Sequence, residues 1–213
     1  MLVNATAMLQ AAAKGHYAVA AFNTNNLEWA ASILDAAEEL LADRSFADLS
    51  VTDLCAEAQV SRQTFYRYYK DKYDLVQWHF TNVVARHLVE IGRTLGWYDA
   101  TLAAVNEIVA RKTLYVAAYK QSRGYQSISA FGHRSVRDIL IETITVYKGL
   151  EMTDDLDFEI RYHAEATLIV FTNWGRKGME LSPELFARRL CNCTPRQLFE
   201  LLDMPSALEP IGE

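Results

Sequence analysis

The chain has 213 residues, 51% of them hydrophobic, and a formal net charge of −6 at pH 7, which suits one medium domain, or a small domain joined to a larger one, around a sizeable core. The negative charge argues against a protein that coats nucleic acid non-specifically, although a compact DNA reader needs a basic surface only where it contacts the duplex. No apolar run approaches the roughly 20 residues of a membrane-spanning helix, the N-terminus lacks a secretory pattern, and the three cysteines are too few for a disulfide framework, so we expect a cytoplasmic protein with no membrane contact.

Residues 1–30 form an unusual N-terminal extension. Their pattern predicts a short helix at 6–14 and a strand at 17–23, and Asn25 or Asn26 is expected to cap the helix that follows. The run M-L-V-N-A-T-A-M-L-Q-A-A-A-K-G-H-Y-A-V-A-A-F-N-T-N-N-L-E-W-A resembles the opening helix and first barrel strand of class II fructose-bisphosphate aldolases. The resemblance ends before the metal-binding histidines and the catalytic acid of that family, and one strand cannot close an eight-stranded barrel. We therefore expect no aldolase activity, and no enzyme.

Apolar residues recur at helical spacing through the rest of the chain, and strand signals are scarce. All four prolines lie after residue 182. Ser182, Pro183 and Glu184 stand in the order of an N-cap, a first helical residue and a first-turn acid, and the run from Thr194 to Gln197 reads as a capping box. The sequence therefore predicts an all-α chain, with helical segments at 33–41, 51–58, 71–95, 98–121, 126–150, 155–178 and 182–192.

Residues 50–72 read S-V-T-D-L-C-A-E-A-Q-V-S-R-Q-T-F-Y-R-Y-Y-K-D-K and predict two short helices joined by a turn. Ser50 is expected to cap the first helix, with Asp53 answering at the third helical position. This helix is expected to end near Gln59, and Ser61 is expected to cap the second helix. Side chains four residues apart share a helix face, which predicts an inward face made of Val60, Phe65 and Tyr69.

The other side of the second helix carries side chains that suit the major groove of DNA. Arg and Gln pair with base edges, and Thr and Tyr hydroxyls reach phosphates. Four cations and one acid between residues 61 and 72 give a local charge of +3, which focuses positive charge where phosphate binding needs it. The alternative is a helical hairpin in a solvated face whose aromatic side chains serve only packing. The predicted outward residues are Arg62, Gln63, Thr64, Tyr66, Arg67 and Tyr68, with Lys70 and Lys72 following as contacts to the DNA backbone.

The segment at 33–76, I-L-D-A-A-E-E-L-L-A-D-R-S-F-A-D-L-S-V-T-D-L-C-A-E-A-Q-V-S-R-Q-T-F-Y-R-Y-Y-K-D-K-Y-D-L-V, resembles the N-terminal domain of TetR-type bacterial regulators. The resemblance implies a helix-turn-helix domain at 31–75 that binds double-stranded DNA, a helical dimerisation and regulatory domain at 76–204, and a tail at 205–213. One departure is Gln59, where the family often has Gly, because a left-handed turn costs a non-Gly residue about 1 kcal/mol. The family's DNA contacts fall at Ser50, Thr52, Arg62, Gln63, Thr64, Tyr66, Tyr68 and Lys72, and our predicted contact set adds Ser61, Arg67 and Lys70.

The C-terminal part resembles a particular subgroup of these regulators. The run T-N-W-G-R-K-G-M at 172–179, the following S-P-E, and K-Y-D-L-V-x-W at 72–78 are similar to the subgroup that includes the dihydroxyacetone-kinase operon regulators. The resemblance implies that helices near 155–178 and 182–192 pack against their copies in a homodimer. The candidate interface residues, which could equally face the monomer's own core, are Leu168, Ile169, Phe171 and Trp174.

A dimer is also expected on physical grounds, because one short helix reads too few base pairs to find an operator, whereas two copies on a two-fold axis read a pseudo-palindrome. We therefore predict a sequence-specific transcriptional regulator that represses and is modulated by a small ligand. The alternative is a co-regulator or activator that uses the same fold and acts through a protein partner. The residues predicted to line a ligand pocket, or else to fill the helical core, are Trp97, Tyr115, Tyr119, Phe131, His133, Tyr162 and His163.

Neither a metal site nor a cofactor is predicted. Cys191 and Cys193 form a C-x-C pair, and two ligands do not make a zinc site. Cys55 lies on the apolar stripe of the first motif helix, where a packed thiol of the core is expected. No glycine-rich phosphate loop or catalytic motif is present in the sequence.

Overall fold

A computed structural model of the chain describes residues 24–121 and 136–204. Apart from connecting turns and an isolated bridge between Ile91 and Leu95, these residues are helical, and the predicted all-α class is confirmed. In chain order the helices are α1 (Thr24–Leu40), α2 (Val51–Glu57), α3 (Arg62–Tyr68), α4 (Lys72–His79), α5 (Ala85–Val89), α6 (Trp97–Ala110), α7 (Lys112–Gln121), α8 (136–142), α9 (Asp154–Arg176), α10 (Pro183–Asn192) and α11 (Arg196–Leu202). Two π-helical turns, Phe80–Val84 and Thr143–Tyr147, follow α4 and α8.

The predictions for residues 1–23 and 122–135 lie outside the described residues. These include the short helix at 6–14, the strand at 17–23, and the candidate pocket residues Phe131 and His133. Helix α1 begins at Thr24, so Asn25 and Asn26 lie inside its first turn, and the prediction that one of them is its cap was wrong.

Two long helical segments of the sequence prediction are interrupted in the structure. The segment predicted at 71–95 ends at Val89, and the chain then turns through Gly92, whose φ of 71° is in the left-handed region that favours glycine. The segment predicted at 98–121 breaks at Arg111, which has φ −116° and ψ 38° between α6 and α7. The apolar pattern of the sequence continues across both interruptions, because the same face of the chain stays buried on either side. The pattern therefore did not predict them.

Helix α9 is the longest described helix, with 23 residues and a length of about 35 Å. The Thr153 side chain caps it by accepting a hydrogen bond from the Leu156 amide, three aspartates follow in its first turn, and Arg176 lies in its last turn. Negative charge near the start of a helix and positive charge near its end interact favourably with the helix dipole, so both ends are stabilised. The predicted segment at 155–178 is confirmed within two residues at each end.

The start of α10 follows the sequence prediction, whereas the start of α11 does not. Ser182 caps α10 with Pro183 at the first position and Glu184 in the first turn. Before α11, the Thr194 hydroxyl donates to the carbonyl of Leu190, and Pro195 occupies the cap position without a side-chain hydrogen bond. The predicted capping box was wrong because the acceptor comes from another helix: Glu159 of α9 accepts the Leu198 amide at 3.0 Å.

The buried side chains form two groups, and the members of each group pack against one another. The first core joins α1–α4 to α6, α7, α9 and α10, and its largest members include Ile33, Phe65 and Tyr115, all less than 2% exposed. The second core packs the bridge region and α6 against α8, α9 and α11. The helix-turn-helix part therefore rests on the C-terminal helices through a continuous apolar contact.

Two further contacts fix α7 against its neighbours. Arg111, at the break before α7, donates hydrogen bonds to Asp35 and Glu38 of α1. At its other end, Gly175 of α9 lies so close to the Tyr119 ring that any side chain there would collide with it. Among the described helices, none has the length and apolar character needed to cross a membrane.

Candidate nucleic-acid interface

Helix α2 begins with the predicted capping box. The Ser50 hydroxyl accepts a hydrogen bond from the Asp53 amide at 3.1 Å, and the Asp53 carboxylate accepts the Ser50 amide at 3.0 Å. The Ser50 hydroxyl also donates to the Asp53 carboxylate at 2.6 Å, and this bond, followed by the one from the Ser50 amide, holds the pKa of Asp53 below its ordinary value. The reciprocal pair satisfies two amides that would otherwise lack partners and fixes where the helix starts.

The turn between α2 and α3 passes through Gln59 in the left-handed conformation, with φ 54°. The Val60 amide closes the turn by donating to the Cys55 carbonyl at 2.9 Å, and the Ser32 hydroxyl of α1 donates to the Ala58 carbonyl at 3.2 Å. These bonds offset the backbone cost of a non-glycine residue in this region, which is about 1–2 kcal/mol. The predicted two-helix corner at Gln59–Ser61 is confirmed.

Helix α3 is oriented by its inward side chains. Ser61 caps it by accepting the Thr64 amide at 3.0 Å. Phe65 is fully buried and Tyr69 is 2% exposed, with their ring centroids 5.3 Å apart. Val60 is half-buried beside them. Because these side chains anchor one side of α3 in the first core, the opposite side of the helix faces outward.

The outward side of α3 holds five of the eleven predicted DNA contacts. Tyr66 is 51% exposed, and the Arg62 guanidinium lies over its ring at 6.0 Å from the centroid. This cation–π contact limits the conformations of both side chains in the free protein. Thr64 is half-buried at the helix edge. The other predicted contacts that the structure places on the exposed surface are Ser50, Thr52, Ser61, Gln63, Arg67 and Lys70.

Tyr68 does not lie fully on this outward side. Its ring is half-buried, 6.0 Å from the Trp29 ring of α1 and 6.4 Å from Tyr69. The prediction that it faces outward was wrong in part, because α1 extends far enough toward the N-terminus to place Trp29 beside it. Tyr68 therefore packs α3 onto α1.

Lys72 is engaged inside the protein. Its Nζ donates to the carbonyl oxygens of Phe46 at 2.6 Å, Ala47 at 2.8 Å and Leu49 at 2.7 Å. A lysine ammonium has three hydrogens to donate, so all of them are taken, and burial lowers the pKa of the amine. We therefore correct the assignment of Lys72 as a contact to the DNA backbone: in this structure it secures the loop before α2.

The cations that remain available on the outer surface are Arg62, Arg67 and Lys70. Asp71 caps α4 by accepting the amides of Tyr73 and Asp74, so its charge is directed toward a helix start. The positive character of this surface thus persists without Lys72 and comes mainly from α3.

A small cavity lies in the C-terminal part, between α6, α8, α9 and α10 and beside the Phe80–Val84 turn. Its volume is about 70 Å³, and three of the predicted pocket residues, Trp97, Tyr119 and His163, line it. The Trp97 and His163 rings meet edge to face, with centroids 5.2 Å apart. Burial lowers the pKa of His163 to about 4, so its imidazole is neutral at pH 7.

Two other predicted pocket residues lie elsewhere. Tyr115 is fully buried in the first core, where its hydroxyl is 2.9 Å from Nδ1 of His79 on α4. Tyr162 is 59% exposed on the outer side of α9. Tyr115 thus fits the alternative interpretation, the filling of the core, whereas Tyr162 fits neither, because aromatic character does not distinguish a cavity wall from a core or a surface.

The four candidate dimer residues also lie in different places: on the surface, at the cavity and in the core. Ile169 is 59% exposed on α9. Leu168 is half-buried and lines the cavity. Trp174 is 5% exposed and stacks on Phe186 of α10 at 4.1 Å, with Phe171 against both rings. Trp174 and Phe171 thus belong to the monomer's core, as one of the two interpretations of the sequence allowed.

Sequence reasoning missed other exposed apolar residues. Phe158 is 64% exposed and Val170 is 44% exposed on α9, beside Tyr162 and Ile169, and Leu185 is 41% exposed on α10. The signal was present in the spacing, since positions 158, 162, 166, 169 and 170 follow one helix face. We call Phe158, Tyr162, Ile169, Val170 and Leu185 the α9–α10 face.

Cys55 is buried in the first core as predicted, while Cys191 is half-buried and Cys193 is exposed. Within residues 24–121 and 136–204, no group of three or more His, Cys, Asp or Glu side chains is arranged to hold a metal ion.

Comparison with known families identifies two matching segments. Residues 33–77 match the model of the bacterial regulatory proteins of the tetR family, and residues 3–46 match that of class II fructose-bisphosphate aldolase. The first match runs from Ile33 in α1 to Gln77 in α4 and includes the corner at Gln59–Ser61.

Two curated proteins are similar to parts of this chain. The chain is 22% identical over 135 residues to the HTH-type dhaKLM operon transcriptional activator DhaS of Lactococcus lactis, which covers 63% of the chain and 72% of that protein. It is 60% identical over 38 residues to 6-phospho-5-dehydro-2-deoxy-D-gluconate aldolase of Halalkalibacterium halodurans, which covers 18% of the chain and 13% of the aldolase.

The fold is shared with solved structures. A structure of the dihydroxyacetone kinase operon activator DhaS superposes with a TM-score of 0.59 at 19% identity and covers 83% of this chain and 98% of that one. A structure of Thermus thermophilus FadR, a TetR-family transcriptional repressor in complex with lauroyl-CoA, superposes with a TM-score of 0.50 at 19% identity and covers 86% and 100%. At this identity the likeness concerns the fold.

Proposed function

We propose that this chain, a transcriptional regulator of the TetR type, binds a pseudo-palindromic operator as a symmetric homodimer and represses transcription until a small ligand occupies its C-terminal part. The observation that carries the proposal is the outward side of α3, where Arg62, Gln63 and Tyr66 lie on a helix anchored from behind by Phe65. We assign DNA binding to residues 31–75 and dimerisation and regulation to residues 76–204.

The proposed contacts divide by chemistry. Gln63 and Arg62 have the paired donors that read base edges in the major groove. Tyr66, Thr52 and the exposed cations Arg67 and Lys70 suit phosphate contacts, which fix register and supply the salt-dependent part of the affinity. Such a division predicts that replacements within the first group alter sequence preference, whereas replacements within the second weaken binding to all sequences.

Dimerisation is supported by the α9–α10 face. Five large apolar side chains on two consecutive helices are more than 40% exposed there, and exposed apolar surface of this kind is typical of an interaction site when it forms one patch. A two-fold contact through this face would leave α3 of each copy free to enter successive major grooves, about 34–36 Å apart. Of the four residues first considered, Ile169 fits this role.

Modulation by a ligand is supported by the position of the cavity. Its wall includes Phe80 and Val84, which directly follow α4, and Ile108 and Tyr119, which flank the Arg111 contact to α1. A molecule bound there would touch both elements that connect the C-terminal part to the DNA-binding part.

An activator that works through a protein partner is the second candidate. The Lactococcus lactis relative is named as a transcriptional activator. This name supports activation as the alternative to repression, with the same DNA binding in both cases. A reporter gene placed behind the selected operator separates the two, since deletion of the regulator raises output for a repressor and lowers it for an activator.

The chain is a regulator and not an enzyme, and its aldolase-like segment corresponds to 13% of the aldolase. Action on chromosomal DNA places the proposed function in the cytoplasm.

The test is selection of bound fragments from a random DNA pool at stated salt. We expect a two-fold symmetric consensus, and binding by a protein of twice the chain mass. Selection of no consensus, with affinity no greater than for unrelated DNA, would contradict the proposal.

A further inference from the structure

The cavity between α6 and α9 limits the size of any molecule it holds. Its volume is about 70 Å³, whereas pockets for drug-sized ligands are about 300–1,000 Å³. One water needs about 10–15 Å³ on the same measure, so the space suits about five to seven non-hydrogen atoms. An acyl-CoA of the kind bound by the Thermus thermophilus repressor is far larger than this.

The lining also limits the charge of such a molecule. Within the described part of the wall there is no Asp, Glu, Lys or Arg, and the side chains are chiefly aliphatic or aromatic. The polar groups of its lining residues are the hydroxyls of three threonines and of Tyr119, the Trp97 indole, the Cys191 thiol and the neutral His163 imidazole. A carboxylate or ammonium would lose its hydration without meeting an opposite charge, which is strongly unfavourable.

The location of the cavity indicates that its occupant matters for the rest of the molecule. Phe80 and Val84 lie at the two ends of the π-helical turn that follows α4, and both line the cavity. Turns of this kind inside α-helices occur frequently at functional sites. Here the turn lies on the continuous helical path that begins at Lys72, beside the DNA-binding part.

From the size, charge and location of this cavity we infer that it binds a small, uncharged, mainly apolar molecule of about five to seven non-hydrogen atoms, with one hydroxyl or carbonyl oxygen for the polar groups of its wall. The inference rests on the proposed function only in identifying the molecule as the effector. The site and the ligand class stand on the cavity itself.

The experiment compares pentan-1-ol with pentanoate by titration calorimetry on the full chain at pH 7. We expect pentan-1-ol to bind and pentanoate to bind at least tenfold more weakly, since they differ mainly in charge. Ala104, which lines the cavity, and its neighbour Ala103, which does not, give a matched pair. Ala104→Met should weaken pentan-1-ol binding at least tenfold, and Ala103→Met should leave it within twofold.

Thr167→Leu fills the same cavity from α9 and replaces Ala104→Met if that variant does not fold. No binding of pentan-1-ol, equal binding of pentanoate, or unchanged binding in the filled variants would each overturn the inference. Operator affinity is measured separately. A protein that binds pentan-1-ol but no operator contradicts the proposed function and leaves the inference standing, and the reverse result contradicts the inference alone.

Discussion

The ammonium of Lys72 is hydrogen-bonded to the backbone of Phe46 and lies 5.1 Å from the centroid of its ring. The first residue of α4 thereby holds the loop that connects α1 to α2. The sequence predicted Lys72 as a phosphate contact. Its three carbonyl partners instead make it part of the support for α3.

This relationship predicts that Lys72→Met destabilises the protein. Three carbonyls, two of them in part-buried hydrogen bonds, would lose a charged donor, and we expect the free energy of unfolding to fall by about 2–4 kcal/mol. Urea unfolding followed by circular dichroism measures it. The control is Lys70→Met, at an exposed site, which should change stability by less than about 0.5 kcal/mol while reducing the salt dependence of DNA binding. Equal stability of the two variants would contradict the role given to Lys72.

Gln63→Ala should relax sequence preference at one base pair of each half-site. A bidentate amide contact contributes about 1–3 kcal/mol of discrimination against the wrong base, while affinity for unrelated DNA should hardly change. Binding to a set of single-base operator variants measures this effect. Gln197→Ala, on the exposed side of α11, is the control. A uniform loss of affinity across all operators would show that Gln63 does not read a base.

Replacement of Gln59 by Gly should stabilise the protein. The left-handed φ of 54° costs a residue with a side chain about 1–2 kcal/mol. Glycine removes this cost, but it lowers the stability by about 0.5–1 kcal/mol because it gives the unfolded chain more conformational freedom. The expected net gain is about 0.5–1 kcal/mol, measured by urea unfolding. Gln59→Ala keeps the strain and should give no gain. A loss of stability in the glycine variant would mean that the Gln59 side chain makes a compensating contact.

Charge on the α9–α10 face should disrupt the proposed homodimer. Ile169→Asp places a carboxylate where apolar surfaces would meet, so we expect a protein of single-chain mass by analytical ultracentrifugation and a large loss of operator affinity. Ile160→Val, in the monomer's second core, is the control. It should cost about 1 kcal/mol of stability and leave the mass unchanged. A dimer that persists in Ile169→Asp and in Phe158→Asp would contradict the assigned face.

Stability should fall on acidification through the two buried histidines. Burial, the largest cause, lowers the pKa of His79 and of His163 to about 4 from an unfolded value of 6.5. A histidine with a lowered folded pKa contributes stability that is complete above pH 6.5 and is lost as the pH falls toward 4. At pH 5 the loss is about 2 kcal/mol for each histidine.

Urea unfolding at pH 7 and pH 5 measures the loss. In His163→Gln about half of it should disappear, because only His79 then takes up a proton on unfolding. A pH dependence unchanged by this replacement would show that His163 is not held neutral by its surroundings.

The elements predicted correctly are those that local interactions determine. The capping box of Ser50 and Asp53, the cap at Ser61 and the turn at Gln59 each depend on hydrogen bonds between residues no more than five positions apart. Lys72 and Thr194 were misjudged because the deciding partners, Phe46 and Glu159, are distant in sequence. The aromatic residues of the C-terminal part had the same pattern whether they lay in a core, a cavity or a surface, and only packing separates these locations.

The break at Arg111 has a mechanical consequence. The residue that joins α6 to α7 is also the residue whose guanidinium is ion-paired with α1 at Asp35 and Glu38. Any change in the angle between α6 and α7 must therefore either displace α1 or separate these charges. The proposed DNA-binding part is thus connected to the C-terminal helices by a second path besides α4, through which a bend at this one peptide would reach α1.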